Sequence, residues 1–189
     1  LRHHGIDAPI LVLGYTPPAG IEAAREYDIT LAVFDDESLE AAASAAPGAK
    51  PLRVHVKVDT GMGRLGLADE AEAIRYIEKA LQTPGVEVEG IFTHYACADS
   101  RDKAHVTEQY RRFALIVDHF RKNRGMTFKY VHAGNSATGI DTPAYTFNML
   151  RLGVGMYGLY PSEEVNRTRV SLRPVMSLKT GVVMVKRLP

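Results

Sequence analysis

The sequence predicts an α/β fold on a parallel sheet, and among such folds an incomplete (β/α)8 barrel of the TIM type. Two observations predict it. Short apolar runs alternate with amphipathic stretches along most of the chain, the order that parallel strands joined by right-handed crossovers require. Polar and glycine-rich residues repeatedly follow the runs: Lys57 to Arg64, His94, Asn135-Ser136, and Arg151 to Gly155. In a barrel such strand ends converge on one rim, where active sites form, whereas a doubly wound sheet spreads them along an open edge.

The elements follow in order. Leu1-Arg2-His3-His4-Gly5 has the form of a helix end meeting a glycine cap. Residues 10–13 form the first strand, closed by Gly14, and Pro17-Pro18 suits the start of a helix over 19–27. A strand over 30–34 precedes Asp36, which can cap a helix to about Ala45 before Pro47-Gly48 breaks it. Residues 54–58 alternate as a strand and empty into a glycine loop. Asp69 opens a helix with Ile74, Ile77 and Leu81 on one face, stopped by Pro84-Gly85. After a strand over 88–93, residues 102–122 place Val106, Tyr110, Phe113, Val117 and Phe120 along one helical stripe. Residues 128–133 are a strand ending in a polar turn at Gly134-Asn135-Ser136, and 148–152 are the sixth strand. From Met176 the pattern changes to a long β-like run through Leu188, which predicts two domains: a partial barrel over 1–165 and the start of a β-rich domain over 166–189.

Composition excludes several classes. The 189 residues are 46% hydrophobic, enough for a sizeable core. Twenty-three basic residues balance 22 acidic ones without a basic block, so neither nucleic acid nor an anionic membrane is an expected partner. No apolar run has membrane-spanning length and no signal-peptide pattern appears. Cys97 is the only cysteine, so no internal disulfide forms and a reducing cytoplasm is the expected compartment. Both ends look cut from something longer.

The chemistry concentrates in Lys57-Val58-Asp59-Thr60-Gly61-Met62-Gly63-Arg64-Leu65-Gly66. Arg64 projects a planar fork suited to a carboxylate or phenolate from a loop that lets a ligand approach its backbone; its plain alternative is a turn arginine in solvent. Lys57 sits inside a strand and shares a face with His55 and Asp59. It must pair, with Asp59 or another carboxylate, or lose its charge. His94, ending a strand in Thr93-His94-Tyr95, is as compatible with a structural role. The glycine turn Arg151-Leu152-Gly153-Val154-Gly155 with the Ser136 hydroxyl has the makings of a phosphate cradle without the lysine of a P-loop. No HExxH, CxxC, GxSxG or spaced acidic pair occurs, so no metal site is expected and hydrolytic chemistry has no support.

Three further blocks stand in register with this loop: Thr93-His94, His132-Ala133-Gly134-Asn135-Ser136, and Asn148-Met149-Leu150-Arg151-Leu152-Gly153-Val154-Gly155-Met156-Tyr157-Gly158. Together they resemble the bacterial alanine racemases across the whole chain. The resemblance implies a pyridoxal 5′-phosphate enzyme interconverting L- and D-alanine for peptidoglycan, with a barrel joined to a C-terminal β-domain in a homodimer. About six of the eight βα units of such a barrel would be present. It implies that Arg151 donates to the pyridine nitrogen and weakens the cofactor as an electron sink. His132 would support Arg151, and His94 would lie against the cofactor ring. Ser136 and the backbone N–H groups of Gly153 and Val154 would hold the phosphate, with Asn135 in the same turn. Arg64 would bind the cofactor's phenolic oxygen and the substrate carboxylate, and Lys57 would be carried as a carbamate that orients Arg64. Arg64, Lys57, His94 and Arg151 are the implied catalytic residues. The family's Schiff-base lysine, in a Lys-Ala-x-Ala-Tyr-Gly motif, and its tyrosine base are absent from these 189 residues, so the chain alone is expected to be inactive. The neighbouring alternatives are a serine or broad-specificity racemase and, of another class, a non-catalytic pyridoxal-phosphate homeostasis barrel.

Overall fold

A computed structural model describes residues 1–44 and 49–189. Its centre is one sheet of five parallel strands in sequential order: β1 (Ile10–Val12), β2 (Ile29–Val33), β3 (Leu52–Lys57), β4 (Val86–Phe92) and β5 (Tyr130–His132). Every crossover carries helix: α1 (Ile21–Glu26), α2 (Asp36–Ala43), α3 (Glu70–Gln82) and α4 (Ala104–Arg124). Sequential order without a reversal is the arrangement of a barrel wall and not of a doubly wound sheet. The result is a half-barrel. The break expected at Pro47-Gly48 lies outside the described residues.

The strands alternate, apart from one register shift in β4 between Val88 and Gly90. Val54, Val56, Ile91 and Val131 pack toward the helices, against Ile77, Phe113, Ile116 and Phe120 in one buried cluster. His55, Lys57, Phe92 and His132 occupy the alternate positions and line the inner face. The helices end where local chemistry ends them. Asp69 caps α3 through Glu72 N–H at 2.8 Å, and Gly125, at φ 60°, closes α4 with its N–H on Phe120 O. The cap of α2 is Asp35 rather than the expected Asp36, because Asp35 has the extended backbone that lets its carboxylate reach Ser38 N–H. Gly5 caps a single 3-10 turn, Arg2–His4. The turn expected at 134–136 starts a short helix, α5 (Ser136–Asp141), capped by Asn135 and Thr138 in a reciprocal pair.

The sixth strand does not form. Residues 148–151 run beside β5 with one isolated bridge, His132 to Met149. Asn148 explains why: its side chain accepts from Val131 N–H at 2.7 Å and donates to Lys129 O at 2.9 Å. A side chain thus takes two places that a neighbouring backbone would fill in a ladder. Residues 176–189 likewise carry no strand and are exposed.

Buried Arg25 ties the outer layer together. It donates to Lys50 O at 2.5 Å, Gly85 O at 3.0 Å and Ala42 O at 2.8 Å. Replacing it with Ala strands three acceptors, and an unmade buried bond costs about 1–3 kcal/mol. Arg25→Ala should therefore lower the urea midpoint clearly without changing the slope of the transition, and an unchanged midpoint would refute this role.

Candidate active site

The C-terminal ends of β3, β4 and β5 meet at a cavity of about 440 Å³, within the size range of small-ligand sites. Lys57, Arg64, His94, Asn135, Ser136, Arg151, Gly153 and Val154 all line it. His132 does not; it is fully buried behind Arg151.

The glycine loop is organised by Asp59. Its Oδ1 accepts the N–H groups of Gly61, Met62 and Gly63 at 2.7–3.1 Å, and its Oδ2 that of Arg64 at 2.8 Å. Burial pushes this carboxyl up, but the four backbone bonds outweigh it and hold it below the ordinary aspartate range. Gly66 then folds the loop back, at φ 114°. A Cβ there would stand 2.9 Å from the backbone of Lys57, Val58 and Asp59, so no other residue fits. Thr60 Oγ1 meets Thr93 Oγ1 at 2.8 Å, and buried Gln109 donates to His94 O at 3.0 Å while accepting from Ala96 N–H at 2.9 Å. These contacts fix the loop to the end of β4.

With Asp59 committed to backbone, the expected Lys57–Asp59 pair does not form. Lys57 is 4% exposed, and its Nζ lies over the Phe92 ring, 4.4 Å from the centroid. Burial, then Arg151 and Arg64, push its amine down to about 8. Among the described residues, no carboxylate forms an ion pair with Lys57, Arg64 or Arg151.

Arg151 is the best-held group. Its Nη1 meets His132 Nδ1 at 2.5 Å, and its Nη2 lies 2.9 Å from Thr93 O, 3.1 Å from Ala133 O and 3.0 Å from His94 Nδ1. A guanidinium only donates, so both imidazoles must accept and therefore stay neutral. Burial, followed by Arg151, holds His94 down to about 4, and the same causes hold His132 lower still. Arg151 is itself lowered by burial to about 10 and remains a cation at neutral pH.

Ser136 stands at the start of α5. Its hydroxyl oxygen accepts from Gly153 and Gly155 N–H, each at 3.1 Å, so it is already seated against the turn that precedes the 3-10 helix Val154–Tyr157. Asn135 caps α5 and lines the cavity. Sequence reasoning missed Asp59 as the loop's organiser, although an aspartate followed by glycines at the second and fourth positions is the pattern of an Asx turn. It also missed Gln109, whose only signal was a polar residue inside an apolar helix face. The cavity can thus accept a small anion: three cations converge on it, and glycine-rich backbone edges it.

Fold and site together define a parallel α/β half-barrel with a cation-lined cavity at its strand ends. The sequence profile described as "Alanine racemase, N-terminal domain" matches residues 1–161, and the chain belongs to that family. The alanine racemase of Desulfosudis oleivorans is 42% identical over 200 aligned residues, covering 100% of this chain and 50% of that protein. The solved alanine racemase of Clostridium difficile 630 superposes with TM-score 0.87 at 35% identity, over 92% of this chain and 48% of that one. That of Bacillus anthracis, solved with bound L-Ala-P, gives TM-score 0.82 at 37% identity, over 92% and 45%. The chain spans about half the length of the relatives it matches.

Neutral histidines make stability depend on pH with a definite sign. His55, His94 and His132 all have lowered values. They stay unprotonated in the fold but take up protons in the unfolded chain below about pH 6.5. Stability should therefore fall as pH drops through that value toward 4, by up to about 1.4 kcal/mol per pH unit for each histidine. A urea midpoint flat between these pH values would contradict the assignment. Asp59→Ala should separately bring the Gly61–Arg64 amides to near-solvent hydrogen exchange. Asp59→Asn, which keeps one acceptor oxygen, should spare all but Arg64.

Proposed function

We propose that this chain is the cofactor-binding part of a pyridoxal 5′-phosphate-dependent alanine racemase acting in the cytoplasm as a homodimer. The observation that carries the reading is convergence: every residue that the family motifs imply should touch cofactor or substrate lines one cavity. Bound L-Ala-P in the Bacillus anthracis relative supports an amino-acid ligand.

The residues fit the cofactor chemically. The Ser136 hydroxyl and the Val154 N–H, joined by the Gly153 N–H once it turns from Ser136 Oγ, offer the neutral donors a phosphate needs. The Arg151 guanidinium, already held by two neutral imidazoles, offers an N–H to a ring nitrogen. It gives up no proton at neutral pH, so that nitrogen stays unprotonated. When bound, pyridoxal phosphate supplies the electron sink that acidifies the Cα–H of an amino acid. Arg64, free of any carboxylate partner among the described residues, receives the substrate carboxylate. His94 sets its ring against the cofactor face.

Lys57 stands apart as a chemical group. At about 8, roughly a quarter of its amine is neutral near pH 7.5, against about one part in a thousand at the ordinary lysine value. A neutral amine adds carbon dioxide and releases a proton, leaving a carbamate anion between two arginines. Such a group orients Arg64 and removes the cation repulsion in the cavity. The two bases that move the Cα proton come from residues outside this chain, and residues 166–189 lead into the β-domain.

Three measurements test this. The full-length protein should bind pyridoxal phosphate, seen as visible absorbance, and convert L-alanine to D-alanine in a chiral assay. Preference for L-serine would move it to a neighbouring racemase, and bound cofactor without turnover would leave the homeostasis barrel. Arg64→Ala should lower kcat/KM by ~10- to 100-fold, with Arg64→Lys intermediate. Carbon-13 bicarbonate should give a carbamate resonance lost in Lys57→Arg, and density ending at an unmodified Nζ would overturn that assignment.

A further inference from the structure

Beneath Arg151, the inner face of the half-barrel carries a column of polar side chains to which the proposed function assigns no role below His132. His132 Nε2 lies 2.8 Å from His55 Nδ1. His55 Nε2 faces Glu89 Oε2 at 3.9 Å, and Glu89 Oε1 accepts from Lys129 Nζ at 2.7 Å. His55, His132 and Glu89 are all buried.

The backbone is shaped to admit this column. The β3–β4 ladder pairs Val54 with Val88 and then His55 with Gly90, passing over Glu89. That bulge reverses the alternation of β4 and lets the Glu89 carboxylate reach the inner face. Gly90 supplies the space: a Cβ there would lie 2.6 Å from Tyr130 O and 2.9 Å from His55 Cε1. The rings are then clamped flat, His132 on Phe92 at 4.7 Å and 12°, and His55 on Tyr130 at 5.5 Å and 30°.

Proton positions along the column follow by elimination. Arg151 only donates, so His132 Nδ1 accepts and its Nε2 carries the proton. That proton points at His55 Nδ1, which accepts in turn, so His55 carries its own proton on Nε2, facing the Glu89 carboxylate. The opposite tautomer of His132 would set two N–H groups against each other at Arg151. We propose that His55 and Glu89 are positioning residues that hold His132 as its Nε2–H tautomer, keeping the Nδ1 lone pair on Arg151 and the guanidinium aimed at the cavity. This rests on the reading that Arg151 addresses the cofactor's ring nitrogen. Burial, which outweighs the opposing pull of Glu89 on His55 and is reinforced at both rings by the Arg151 charge, keeps them neutral and agrees with it.

The test is nitrogen-15 NMR of histidine-labelled full-length protein, with and without pyridoxal phosphate. Both rings should show the Nε2–H pattern at neutral pH. In His55→Leu, His132 loses its acceptor, and its signals should move toward the Nδ1–H form or a mixture. In His55→Asn, whose Oδ1 stands where Nδ1 stood, the pattern should persist. With L-alanine, His55→Leu should lower kcat by ~10-fold with KM nearly unchanged, and His55→Asn should recover most of it. Glu89→Gln should shift the His55 Nε2 resonance. An Nδ1–H or doubly protonated His132 in the parent protein overturns the proposal. So do an unchanged His132 spectrum in His55→Leu and an asparagine variant no better than leucine. The parent spectrum decides even if a variant fails to fold. Failure to bind pyridoxal phosphate with the tautomers intact would sink the racemase reading instead.

Discussion

The constraint on which the site depends is that a guanidinium donates and never accepts. Arg151 spends its Nη groups on Thr93 O, Ala133 O, His132 and His94, and so gathers the ends of β4 and β5 onto the segment that follows α5. Each partner must present a lone pair. Two carbonyls do so by nature, but the imidazoles do so only in one tautomer and only when neutral. One side chain therefore fixes strand-end geometry, two protonation states and one direction of hydrogen bonding. No carboxylate among the described residues quenches its charge, which remains available to an incoming anion.

Asp59 is the counterpart at the other end of the cavity. A carboxylate placed beside Lys57 would naturally pair with it, but four loop N–H groups claim it first. The loop gains its shape and Lys57 loses its nearest counterion, leaving Asp99 as the carboxylate on the cavity wall. Lys57 is left buried against an aromatic ring and two arginines, with a weakened claim on its proton. Loop order and the positive character of the cavity are thus the same fact, because both come from where one carboxylate is spent.

Much of this was legible in the chain. Alternation located all five strands to within a few residues, and the glycine loop marked the functional edge before any fold was known. What escaped was where side chains replace backbone. The segment 148–152 has a strand's apolar pattern, but Asn148 fills the ladder positions with its amide, and propensity carries no record of that. Asp36 and Asp35 are equivalent in composition, and only the extended backbone at Asp35 selects it as the cap. The bulge did leave a trace: Val86 and Val88 share one parity, and Ile91 has the other, with Gly90 between. That break turns Glu89 inward, and it becomes meaningful only when β3 supplies His55 as its neighbour.

The column also explains how this half-barrel tolerates a polar inner face. Interior positions of such barrels are ordinarily filled by layers of branched aliphatic side chains. Here His55, Glu89 and His132 stand in their place, and each buried polar group is a debit unless matched. They are matched in series: Lys129 to Glu89, Glu89 toward His55, His55 to His132, His132 to Arg151. A series of this kind is satisfied as a whole or not at all, since removing one member leaves the next without its partner. Packing in an aliphatic layer degrades gradually with each lost methylene, but this column does not. It places an ion pair, Lys129 with Glu89, in line with the guanidinium through two imidazoles, which makes the polar interior continuous with the site.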